Sequence, residues 1–298
     1  MPPSNPYLYT MSSACLSGIV GVFLNLLTAA GITSMQSVAL RAVIAFIGYG
    51  IFLLFTDRSA FRINPRDWYY FLGIGVLHFL LMNLCYFNTI KASSMSVAVV
   101  LMYLAPTIIV FASALLFKEA LTPTKLISLV ITLAGCALVT GLIPLSEQSI
   151  PMKAILFGVG AALGYSAYPI LGKVVLQKYG SGTVSFYMFL FASLFTVPVS
   201  GLLQNLNLLL DWRAILGALG LGVLCTIVSY ILYNKGLRWA DPGKVSILST
   251  IELFVATLLG VCLYGDKLTV YKIMGMLCIC AAVVLLNRPM KKSASPSQ

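Results

Sequence analysis

The sequence predicts an all-α polytopic membrane protein of ten transmembrane helices, arranged as two inverted five-helix repeats. Three observations lead there. Hydrophobic residues make up 60% of the 298 residues and charged residues 9%, at a mean hydropathy of +0.98. A soluble domain of that size needs a more polar surface. Apolar runs of about 20 residues, enough to cross a hydrocarbon core of about 30 Å, recur along the chain with only short polar segments between them. Finally, sliding the chain along itself by 147 positions sets Tyr86 on Tyr233, Leu101 on Leu248 and Lys91 on Arg238, and Glu119-Ala120-Leu121-Thr122 on Asp266-Lys267-Leu268-Thr269. Five spans followed by five of the same kind place the second copy upside down, because five is odd.

The elements follow in order. The first run, 8–29, lacks a basic region before it and a small-residue cleavage pattern after it, so it reads as a retained span and not a signal peptide. The next, 37–56, carries Arg41 near its start, and 69–89 carries His78 half-way along. Span 94–117 holds Tyr103 before Pro106, and 124–142 closes the first half. Span 153–173 places Tyr165 and Tyr168 just before Pro169. Spans 183–203 and 213–234 follow, then 243–264 with Glu252 near its middle, and 270–287. The expected division is 1–147 and 148–288 for the two repeats, with 289–298 a short, basic, Ser-rich tail expected to be disordered and cytoplasmic.

The formal charge of +11 invites a nucleic-acid reading, but the basic residues sit singly at the ends of apolar runs and form no stripe; no nucleic-acid partner is expected. Thirteen of them (Arg58, Arg62, Arg66, Lys118, Lys125, Lys173, Lys178, Lys235, Arg238, Lys244, Arg288, Lys291, Lys292) fall on one side of the predicted topology. Five (Lys91, Lys153, Arg213, Lys267, Lys272) fall on the other. That bias predicts both termini to be cytoplasmic. The seven cysteines all lie within apolar runs and read as buried free thiols.

Enzyme chemistry finds little to build on. The eight acids (Asp57, Asp67, Glu119, Glu147, Asp211, Asp241, Glu252, Asp266) are scattered, one histidine makes no cluster, and no Walker A run is present. The chain reads as a non-enzyme with no cofactor and no metal site, and no filter-like motif suggests a channel.

Few ionisable groups fall in the hydrocarbon. Glu252, which costs at least about 2.5–3.5 kcal/mol there, is either a proton, cation or amine site or a glutamate that holds two helices together. His78 is either a cavity residue or a satisfied structural group. Arg41 is expected near the outer interface, its side chain snorkelling to headgroups, with a gate or carboxylate contact as the other reading. Asn25 and Asn83 need partners, by interhelical hydrogen bonds or by lining a cavity. Tyr103 and Tyr168 are candidate cavity residues, whereas Tyr86 and Tyr233, near predicted helix ends, read as interface-belt residues. Pro106 and Pro169 each free a carbonyl and mark candidate hinges. Gly160 with Gly164, and Ala14 with Gly18, suit close helix packing.

Two stretches carry a family resemblance. Leu101-Met102-Tyr103-Leu104-Ala105-Pro106 followed by Leu116-Phe117-Lys118-Glu119-Ala120-Leu121-Thr122 resembles the first-half signature of the EamA family in the drug/metabolite transporter superfamily. Ser246-Ile247-Leu248-Ser249-Thr250-Ile251-Glu252-Leu253 followed by Tyr264-Gly265-Asp266-Lys267-Leu268-Thr269 resembles the second. Leu253 stands where the family usually has proline, so the ninth span is expected to lack the kink its partner has at Pro106; Asp266 stands where glutamate is usual. The resemblance implies a ten-helix secondary carrier of the plasma (inner) membrane with a central cavity, working by alternating access. Its partners would be the lipid bilayer and a small-molecule solute such as an amino acid or related metabolite, moved outward, with proton coupling through His78 or Glu252 left open. It also implies a general role for Glu252, since that residue belongs to the signature. A multidrug or nucleotide-sugar-like carrier of the same superfamily is the alternative, and a channel or non-transporting membrane protein a more distant one.

Overall fold

The computed structural model describes residues 5–142 and 150–287. The expected tail at 289–298 and the repeat boundary at 147/148 lie outside the described residues. Among those residues the chain is helical apart from short connections, with no strand. Ten apolar helices follow one another: α1 Pro6–Ala29, α2 Ser34–Thr56, α3 Pro65–Ala92, α4 Met95–Phe117, α5 Pro123–Val139, α6 Met152–Lys178, α7 Ser181–Ser200, α8 Trp212–Trp239, α9 Pro242–Tyr264 and α10 Val270–Asn287. Eight are long and apolar enough to cross a membrane, and α5 and α10 are shorter. At 1.5 Å per residue the 17 residues of α5 reach only about 26 Å, a little under the hydrocarbon thickness.

Local chemistry sets the helix starts. Asn5 caps α1 through the Tyr7 N–H with Pro6 in the first turn. Thr33 and Gln36 form a reciprocal capping box on α2. Thr122 caps the Lys125 N–H at the start of α5, and Thr269 does the same for Lys272 at α10. These last two caps are 147 residues apart, and other local features repeat at nearly that offset. Both α3 and α8 carry a π-helical turn, at Ile74–Leu81 and Gly220–Val228. Both α4 and α9 break in mid-course, at Tyr103–Leu104 and at Thr250. Both then end in a left-handed residue, Lys118 (φ 56°) and Gly265 (φ 68°).

The break in α9 corrects the expectation from Leu253. No proline is needed there: the Thr250 N–H and hydroxyl both turn back to the Ile247 carbonyl, and the Leu253 N–H reaches only as far as Thr250. A tight turn therefore interrupts the α-helical ladder where proline would have done so.

Packing follows the same pairing of halves. Helix α2 lies against α7 and α5 against α10; α1 against α8 is matched by α6 against α3. Exchanging the halves maps this pattern onto itself. Small residues set the closest approaches. A Cβ on Gly164 of α6 would stand 2.7 Å from the Leu77 carbonyl of α3, and one on Gly18 of α1 would stand 2.6 Å from the Val255 Cβ and 2.8 Å from the Glu252 carbonyl of α9. The largest apolar core joins α2, α3, α6, α7 and α8 around Tyr49, Phe71, Phe79, Tyr168 and Phe189. Large apolar side chains such as Phe55, Leu115 and Leu163 point outward, as a lipid-facing surface requires. All seven cysteines are free, as expected; Cys85, Cys136 and Cys225 are buried, but Cys262 is exposed and the others half-buried.

Candidate functional site

Polar groups collect at the centre of the bundle, and several of them are delivered by an irregularity in a helix. The π-helical turn of α3 carries His78, buried beside the rings of Tyr165, Tyr168 and Tyr230 at centroid distances of 5.7, 5.1 and 6.5 Å. Its Nδ1 lies 3.2 Å from the Tyr165 carbonyl, and its Nε2 lies 3.0 Å from the Tyr230 hydroxyl. The π-helical turn of α8 presents the Ile227 carbonyl, which accepts the Tyr49 hydroxyl of α2 at 2.9 Å. One turn beyond Tyr230, the Asn234 side chain accepts the Tyr168 hydroxyl and donates to Ser185 of α7 at 2.9 Å.

Glu252 follows the Thr250 break in α9. Its Oε1 accepts the hydroxyl of Tyr103, which stands at the matching break in α4, at 2.9 Å. Tyr86, Tyr165, Tyr230, Tyr233 and Arg41 all lie within electrostatic range of this carboxyl group. The two breaks also border a narrow pocket lined by Met102, Tyr103, Ala105, Pro106, Tyr165, Ser246 and Thr250, with room for little more than a water molecule.

Arg41 turns inward. Its guanidinium stacks over the buried Phe79 ring, 4.8 Å from the centroid, in the neighbourhood of His78, Cys225 and Tyr230. Snorkelling to headgroups is thereby corrected: an aromatic face and the central hydroxyl groups hold the cation inside the bundle. Its Nε has no hydrogen-bond partner among the described residues.

The structure thus gathers His78, Tyr103, Tyr168, Glu252 and Arg41 around one centre, with Pro106 at its edge and Pro169 four residues beyond the carbonyl that meets His78. Two other candidates fall outside it. Asn83 is buried but spends its amide on the Phe79 carbonyl of its own helix at 2.6 Å. Asn25 is exposed on α1 and joins none of the central groups among the described residues. Tyr233, expected in the interface belt, instead meets Tyr168 and Tyr230 at 5.6 and 6.4 Å. It belongs to the interior because α8 runs on to Trp239, five residues past the predicted end. Tyr49, Ser185 and Asn234 were not singled out by sequence; only Asn234, a side-chain amide within a predicted span, gave a signal.

Residues 5–141 and again 152–288 match the domain described as the EamA-like transporter family. The chain belongs to that family. It is a multi-pass membrane transporter with two EamA domains, each supplying five of the ten helices. An uncharacterized transporter from Archaeoglobus fulgidus is 28% identical over 276 residues, covering 93% of this chain and 94% of that one. An uncharacterized inner membrane transporter, YicL, from Salmonella typhimurium is 27% identical over 78% of this chain and 77% of its own length. A crystal structure of a protein 19% identical in sequence superimposes with a TM-score of 0.78, over 95% of this chain and 96% of that chain. At that identity the match shows a shared fold.

Proposed function

We propose that this EamA protein is a secondary carrier of the plasma (inner) membrane that exports small zwitterionic solutes, amino acids or closely related metabolites, by alternating access. Both termini are cytoplasmic in this reading. The solute binds at the bundle centre, between two five-helix halves of inverted topology whose relative rocking exposes it to either side.

The observation that carries the reading is the charge pattern of the centre. One guanidinium, Arg41 from the first half, and one carboxyl group, Glu252 from the second, face the same wall of tyrosines. A free amino acid carries the matching pair, a carboxylate for Arg41 and an ammonium for Glu252. A nucleotide sugar would bring two phosphates to a single arginine, and a cationic drug would meet that arginine as a like charge. Proton coupling, where present, would use Glu252, whose hydrogen bond from Tyr103 joins the breaks of α4 and α9.

Blocking each solute charge in turn tests this. A labelled amino acid in proteoliposomes should be displaced by unlabelled amino acids but not by their N-acetyl or amide derivatives. Glu252→Gln should weaken displacement by the parent amino acid. Equal displacement by the parent and both blocked derivatives would end the zwitterion reading.

A further inference from the structure

Proline at position 169 has no N–H, so the carbonyl four residues earlier, that of Tyr165, lacks its helical partner. That carbonyl is the one His78 Nδ1 meets at 3.2 Å. A carbonyl oxygen only accepts, so the ring proton sits on Nδ1. His78 is 6% exposed, surrounded by Phe79, Tyr165, Tyr168 and Tyr230, and its nearest charge is the Arg41 cation; no carboxylate is bonded to it. Such surroundings favour a neutral ring, whose Nε2 then has a lone pair and no proton. The group 3.0 Å from that lone pair is the Tyr230 hydroxyl, which must donate. The Tyr230 oxygen keeps its own lone pairs, and Arg41 is the donor beside it.

We propose that His78 is a positioning residue, a neutral imidazole that closes the backbone gap left by Pro169 and, by accepting the hydrogen bond of the Tyr230 hydroxyl, leaves the Tyr230 oxygen as an acceptor that aims Arg41 at the solute carboxylate. The chain of command runs from Pro169 in α6, through the π-helical turn of α3, to α8 and then α2. His78 is in this account neither a proton carrier nor a direct solute contact. The last step rests on the reading of Arg41 as the carboxylate contact. The tautomer does not, and is measured without any solute, so the two fail separately.

The chain has one histidine, so ¹⁵N-histidine labelling of the full-length protein, carried on a purification tag free of histidine, reports this ring alone. At neutral pH the expected result is a protonated Nδ1 and an unprotonated Nε2. A proton on Nε2, alone or together with Nδ1, overturns the proposal. In Pro169→Ala the new N–H competes for the Tyr165 carbonyl, and a fraction of the Nε2-protonated tautomer should appear; an unchanged ring would break the link to the proline. For the transport step, His78→Gln retains an acceptor for Tyr230, whereas His78→Phe does not. The Phe variant should raise KM about tenfold, the worth of one charge-assisted hydrogen bond, with kcat little changed, and the Gln variant should recover most of it. Equal KM values for the two variants, or a fall in kcat alone, would refute the positioning role.

Discussion

Asn234 offers the sharpest test of how the centre is held. It is fully buried, accepts the Tyr168 hydroxyl and donates to Ser185 at 2.9 Å, tying α8 to α6 and α7. Asn234→Leu keeps the branched outline of the side chain and removes both bonds. Interhelical hydrogen bonds in membranes average about 0.6 kcal/mol, so two of them set a floor near 1 kcal/mol. The Tyr168 hydroxyl, left buried and unpaired, costs about 1–3 kcal/mol, and Ser185 keeps the Tyr49 hydroxyl as a partner, which sets a ceiling near 4 kcal/mol. Because all three residues are enclosed by protein, the expected loss is about 2–4 kcal/mol, read as reduced stability in a detergent-unfolding titration. The triple variant Tyr168→Phe, Asn234→Leu, Ser185→Ala has no orphaned group. It should be more stable than Asn234→Leu alone despite carrying two further changes. A triple variant less stable than the single one would show that the bonds, and not the orphaned hydroxyl, dominate, and would refute the reasoning.

Other consequences are as direct. Lys173 donates to the Leu237, Arg238 and Ala240 carbonyls at 2.9, 3.1 and 2.7 Å, closing the C-terminus of α8; Lys173→Met should cost about 1.5–3 kcal/mol in the same titration. Gly18→Ala places a Cβ inside the Val255 and Glu252 contact, so it should cost about 1–3 kcal/mol and slow transport by pushing α1 away from Glu252. Lys125 and Glu119 pair at 2.9 Å with side chains 1% and 7% exposed, while the matching Lys272 and Asp266 stand 3.9 Å apart at 26% and 55%. Lys125→Met should therefore cost up to about 3–5 kcal/mol at neutral pH, and Lys272→Met less than about 1 kcal/mol. Burial already pushes the Glu119 carboxyl above its ordinary range, with Lys125 opposing. Without Lys125 the folded state holds that proton more readily than the unfolded state does. The loss in Lys125→Met should therefore shrink as pH falls through the raised value and grow as pH rises; a loss independent of pH would contradict this.

Much of the fold was legible because the membrane asks for one thing, a long apolar run. Pattern alone located the apolar helices, and the caps and π-helical turns of the two halves match near the shift of 147. Span ends were less legible where polar residues continue a helix beyond the apolar run: α6 continues past Lys173 to Lys178, and α8 past Asn234 to Trp239. Charged groups in the site were legible because ionisable residues in hydrocarbon are costly enough to stand out, as Glu252 and His78 did. The tyrosines were legible only in part, Tyr103 and Tyr168 being placed in the interior but Tyr233 in the interface belt, because both faces of a membrane helix are apolar and periodicity does not separate lipid from interior. Tyr230 stood out only together with Tyr86 and Tyr233, as tyrosines on repeat-related helices, and no pattern ranked it above those two. Arg41 was misplaced because position along a span says nothing about which way a long side chain turns. The break at Thr250 was missed because a hydroxyl turning onto its own backbone leaves no mark as plain as proline.

The most direct test of the carrier itself is counterflow. Proteoliposomes preloaded with unlabelled amino acid and diluted into a trace of the labelled form should accumulate label transiently above its equilibrium level, saturably, and lose most of this with Glu252→Gln. A pore, or a protein without a solute site between its halves, would only equilibrate the label. That outcome from folded protein, across a full amino-acid panel, would contradict the account.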